Sequence, residues 1–186
     1  MQLTVVNTIL VKFIFCITSL VLGASGFEAG TLIKVHSGYK KIEDLSVGDA
    51  VCCMKKNNRT GISYVLAIHT VYPKYYTLIQ YANGRNLLTA LDQLFFTRPH
   101  KIDTHFQMTA GNLVPGYYLR CAGKSQDQRV VCCYLCARDE ACGGAPPLYL
   151  IEIANEHNFL ITLDNIVVNS FTPDDMLRQK IQPLGS

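Results

Sequence analysis

The sequence predicts an all-β domain. Three observations carry this: short β-branched and aromatic runs, turn residues at near-regular spacing between them, and hardly any helical periodicity. The chain has 186 residues, of which 49% are hydrophobic and 17% charged. That composition supports one domain with a real core and is too apolar for a disordered chain.

The elements follow in order. TLIKV (31–35) is a β-branched run ended by Ser37-Gly38, and KKIEDL (40–45) is short and mixed. Ser46-Val47-Gly48-Asp49 reads as a turn into AVCC (50–53), and KKNNRTG (55–61) as a polar loop. Residues 63–81 supply strand material broken at Pro73, which has no N–H for a ladder. Asn83-Gly84 is the strongest hairpin signal and separates YTLIQY from NLLTAL. FFT, HFQMT and YYLRC segments follow, divided by Gly and Pro. Residues 122–147 are polar, rich in Cys and end in GGAPP, so a disulfide-bound loop is expected there. LYLIEIA, NFLIT and NIVVN are the last strands, with Asp164-Asn165 as a turn. The tail from 172 to 186 holds at most a turn or two of helix (DDMLRQKI).

The N-terminus reads as a targeting segment. Lys12 precedes an unbroken apolar run, FIFCITSLVLG, and Ala24, Ser25 and Gly26 follow. Charge, apolar centre and small-residue exit are the three parts of a secretory signal. The run is shorter than the about 20 residues that cross a bilayer. The expected organisation is a signal peptide or retained anchor over 1–26, a domain over 27–170 and a tail over 171–186. The product would be secreted or extracytoplasmic, touching membrane only through its N-terminal segment.

Cysteine usage fits export. Of eight cysteines, seven follow the apolar segment: Cys52, Cys53, Cys121, Cys132, Cys133, Cys136 and Cys142. In an oxidising compartment disulfides are expected, and an odd number leaves a thiol free or paired between chains. Cys132, Cys133, Cys136 and Cys142 read as a disulfide-bound cluster or as a zinc knuckle completed by His157 or another His. The export signal favours disulfides, so no metal and no cofactor is expected. Asn58-Arg59-Thr60 is a glycosylation sequon. The net charge of +3 is not clustered, which argues against nucleic-acid binding; a protein partner stays open. His36, His69, His100 and His105 form no pattern. Glu43-Asp44 is expected to hold a turn through backbone amides. The tyrosines at 72–81 and at 117–118 are expected to pack in strands.

One stretch carries more. In GFEAGTLIKVHSGYKKIEDLSVGDAV, the residues Phe27, Ala29, Gly30, Thr31, Gly38, Ile42, Glu43, Asp44, Leu45, Val47, Gly48 and Asp49 stand at fixed spacing. This resembles the opening block of the Hint superfamily, the Hedgehog/intein autoprocessing domains. LYLIEIANEHNFLITLDNIVVNS is similar to the closing blocks, and the resemblance covers about residues 27–170. It implies a horseshoe of short strands and a self-processing site. In that family a first-residue Cys or Ser attacks the preceding carbonyl. A Thr-x-x-His motif polarises the amide and protonates its nitrogen, and a terminal Asn cyclises to break the next bond.

Carried over by position, the nucleophile falls on Gly26, which has no side chain. Ser25 is one residue early. The Thr is Thr89, and the His is replaced by Asp92, or by Gln93 if the register slips by one. His157, Asn158 and Phe159 keep the closing His-Asn-Phe step. The final His-Asn falls on Asn169-Ser170 without a gap. With one gap, Asn169 is the cyclising residue, Ser170 follows it and Val168 replaces the His. The resemblance thus implies a degenerate Hint module, a pseudoenzyme kept as a secreted scaffold or interaction domain. The alternative is residual C-terminal cleavage at Asn169 using Ser170 and His157.

Overall fold

The computed structural model describes residues 25–123, 126–137, 146–155 and 157–170. Most of the proposed signal segment, Cys142 and the C-terminal tail lie outside the described residues. Fourteen strands follow one another: β1 (Phe27–Glu28), β2 (Leu32–Val35), β3 (Gly38–Lys41), β4 (Ala50–Met54), β5 (Thr60–Val71), β6 (Tyr75–Tyr81), β7 (Asn86–Ala90), β8 (Leu94–Arg98), β9 (Phe106–Thr109), β10 (Tyr118–Leu119), β11 (Gln128–Ala137), β12 (Leu148–Ile153), β13 (Asn158–Ile161) and β14 (Ile166–Asn169). Among the described residues the helical pieces are two 3-10 turns, Ile42–Asp44 and Ala110–Asn112. The all-β expectation holds.

The strands hydrogen-bond in the order β10-β11-β6-β7-β1-β12-β5-β4-β2-β13-β14-β8-β9, with β3 on the side of β2. The path closes, because β10 also pairs β8 through Tyr118 and Arg98. β5 is shared between two halves. Its first part, Thr60 to Tyr64, pairs β4, and Val65 to Val71 pairs β12. Its residues alternate between outside and core over 62–66, the period-2 pattern of a half-buried strand.

The core lies between the halves. Phe27, Ile33, Ile79, Phe95, Ile151, Phe159, Ile161 and Val168 are buried in one cluster. A smaller cluster joins Cys52, Met54, Leu160 and Val167. Turn chemistry sets the connections. Gly84 (φ +78) completes the Asn83-Gly84 hairpin, and Asn165 (φ +55) turns β13 into β14. The Glu43 carboxylate accepts the Gly30 N–H at 2.6 Å, which ties the β1–β2 turn to the first 3-10 turn. Among the tyrosines, Tyr76 and Tyr81 are buried, whereas Tyr72 and Tyr75 are exposed.

The expected Cys-rich loop is corrected. Ten of its residues form β11, which pairs β6 from Val130↔Tyr81 to Ala137↔Tyr75. VVCCYLC is a run of β-branched, aromatic and small apolar residues, which suits a pleated surface; the polar flanks disguised it. The expected disulfides are absent among the described residues. Cys52, Cys53, Cys121, Cys132, Cys133 and Cys136 form no disulfide. Cys52 and Cys53, on opposite faces of β4, are both buried, in different surroundings.

Candidate active site

The site forms where the two ends of the domain meet. β1 is inserted between β7 and β12, with Phe27 opposite both Thr89 and Tyr149. Phe27 is 1% exposed. Its ring meets Phe95 and Phe159 edge to face at 6.1 and 6.2 Å, the geometry aromatic quadrupoles favour. This anchor fixes the residue before it.

Gly26 is buried at φ +129, and a Cβ there would stand 2.8 Å from the Tyr149 carbonyl oxygen. No side chain fits without a backbone shift. Its own carbonyl oxygen accepts two hydrogen bonds, from the Thr89 hydroxyl at 2.6 Å and the Ala90 N–H at 3.1 Å. Its N–H donates to Gln93 Oε1 at 3.0 Å. Thr89 is wholly buried and Gln93 is 2% exposed.

Gln93 joins both chain ends. Its Nε2 donates to the Leu94 carbonyl at 3.1 Å and to the Asn169 carbonyl at 3.0 Å. This set fixes the orientation of the carboxamide. Turning it over would place N–H against N–H and oxygen against two carbonyl oxygens. The group on the Gly26 nitrogen is therefore an acceptor and has no proton to give. The tight turn after β7 places it: Gln93 N–H bonds the Ala90 carbonyl, and the Gln93 carbonyl receives the Ala110 N–H.

The other candidates divide. Gln93, not Asp92, meets the Gly26 nitrogen. Asp92 is half-buried, and burial pushes its carboxyl above the usual range. Asn169 ends β14 opposite Asn158. Its carbonyl is held by Gln93, and its side-chain Oδ1 is buried without a partner. Ser170 is 4% exposed with its Oγ likewise unpartnered, and its N–H donates to the His157 carbonyl at 2.9 Å. His157 is exposed, at φ +49, and enters the site through that carbonyl. Asn158 does structural work: its side chain accepts from the Met54 N–H at 2.8 Å and donates to the Met54 carbonyl at 3.0 Å. Among the described residues no three His, Cys, Asp or Glu side chains converge as a metal site would need.

A chain of donors and acceptors thus runs from Gly26 through Gln93 to Asn169, inside a closed ring of short strands. The fold is that of the Hint/intein domains. No family model and no curated protein matches the chain. Solved structures do. An intein-like domain from Clostridium thermocellum matches with a TM-score of 0.68 at 19% identity, over 79% of this chain and 99% of that one. A DnaB intein from Synechocystis sp. PCC 6803 matches at 0.63 and 15%, over 80% and 100%. The gp41-1 intein matches at 0.59 and 20%, over 79% and 99%. At these identities the likeness establishes the fold.

Proposed function

We propose that this chain is a secreted Hint-type domain that has lost N-terminal self-cleavage and serves as a scaffold or interaction module. One observation carries the reading: Gly26 has neither a side chain nor room for one. An acyl shift needs a nucleophile on the residue after the scissile bond. It also needs a proton for the departing nitrogen. Here that nitrogen faces the carboxamide oxygen of Gln93, which cannot protonate it. Losing one member of a cooperating catalytic set already removes most of the rate, and here two are gone. The same bonds stabilise instead: they tie the first strand to the last.

A second reading, residual C-terminal cleavage, has its own support. Gln93 Nε2 on the Asn169 carbonyl polarises the carbonyl that an Asn169 side-chain nitrogen would attack when it cyclises and releases Ser170 N. The unpartnered Asn169 Oδ1 leaves that side chain loosely committed. The missing imidazole weighs against it.

Intact mass separates the two. The expected result is one secreted species, the same for the wild type and Asn169→Ala, retaining residues 171–186. A species ending at Asn169 in the wild type and absent from the variant would establish the second reading and sink the first.

A further inference from the structure

Strand β11 is paired on both sides only at its start. Gln128 and Arg129 pair with β10, while Val130 to Ala137 lie against β6. Among the described residues no strand pairs with the outer edge of residues 131–136. Such an edge presents a row of N–H and C=O groups that templates another extended strand. Proteins blunt edges with charge, Pro or bulges. Here the one bulge falls between Val130 and Cys132, and the run after it, CCYLCA, has no charge and no Pro. Val131, Tyr134 and Leu135 stand 43%, 54% and 66% exposed.

We infer that this edge pairs antiparallel with β11 of a second copy of this chain. The occupant is argued from the strand itself. Residues 130–137 are neutral, so a two-fold pairing sets no like charges opposite each other. The run also matches its own reverse. A two-fold axis at Tyr134 places Tyr134 against Tyr134, and Cys132 against Cys136 of the second copy, twice over. Opposite residues on paired strands hold their Cβ atoms about 4.5–5.5 Å apart, close to the span of a disulfide. Cys132 and Tyr134, two residues apart on one strand, share a face. The interface is isologous, as two-fold dimers require.

The test uses the full chain under reducing conditions, with mass measured by light scattering on a sizing column at rising concentration. A dimer is expected. Leu135→Lys should raise the dissociation constant at least tenfold, and Tyr134→Lys should do the same. Leu66→Lys, on the exposed face of β5, should leave it unchanged. Circular dichroism checks that each variant keeps its strands. A second readout adds glutathione disulfide as oxidant. One Cys132 and one Cys136 thiol each lose a proton and an electron, one S–S bond forms between copies, and two glutathione thiols are released. Peptide mapping should recover that link, and Cys132→Ser should abolish it. A monomer at every concentration overturns the inference, even if the chain then binds another protein. So does a dimer broken by Leu66→Lys but not by Leu135→Lys, or a link between other cysteines.

Discussion

At Gly26 the backbone lies at φ +129 with a carbonyl oxygen 2.8 Å from the place of a Cβ. Gly26→Ala is expected to cost about 2 kcal/mol or more, because an L-residue is strained there and must also displace Tyr149. A urea midpoint measures it. Gly26→Cys should be destabilised similarly and release no N-terminal fragment by mass. Gln93→Leu strands the Gly26 N–H and the Asn169 carbonyl, at about 1–3 kcal/mol for each buried group. Gln93→Glu should be as costly, since a carboxylate cannot donate to two carbonyls. Part of this site is legible in the sequence: the resemblance of the opening and middle blocks singles out Gly26 and Thr89. The one-residue slip from Asp92 to Gln93 is not, because it depends on how tightly the chain turns after β7. Nor does the sequence disclose that His157 offers a carbonyl, which follows from its backbone at φ +49.

At the scale of elements, a carboxylate clasps three segments. Asp127, just before β11, accepts from Arg98 Nε on β8 at 2.9 Å and from the Cys121 N–H at 3.1 Å, and its Oδ2 lies 2.9 Å from His105 Nε2 ahead of β9. Burial pushes its carboxyl up, but the Arg98 guanidinium, the Cys121 amide and His105 together outweigh that and hold it below its usual 3.8. A depressed folded value means the clasp stabilises fully above the unfolded value and is lost as pH falls through the folded one. Wild-type stability should therefore drop as pH falls below about 4, and Asp127→Asn should flatten that drop while lowering the plateau. Denaturation midpoints across the acid range decide it. Burial, with the same carboxylate beside it, pushes the Cys121 thiol up to about 12, so it stays protonated. The sequence has no motif for this hub; its members lie 6 to 29 residues apart and only the β8–β10 closure brings them together. Strands were easier to read where Gly, Asn or Pro bounded them. β11 is harder to read, because its flanks are polar and its cysteines suggest cross-links.

Over the whole molecule, contacts are mostly distant in sequence. β1 pairs β12, and β2 pairs β13, so the first strands wait for the last. Chains with such non-local pairing close long loops before those contacts are rewarded, and fold in milliseconds to seconds. Stopped-flow refolding should fall in that range, and Phe27→Ala should cost about 3–5 kcal/mol by emptying the centre where both halves meet. A chain truncated after Asn165, and so without β14, should lose cooperative unfolding, since β14 joins β13 to β8.

Because Gly26 and Asn169 are bonded to one side chain, the two ends of the domain lie side by side. Topologically the polypeptide is nearly a loop already. A short linker from Ser170 to Ser25, with new ends opened at the exposed Asp103, would give a circular permutant that keeps every pairing except those at the cut. The same adjacency lets the domain sit inside a surface turn of a host protein without forcing the host's flanks apart.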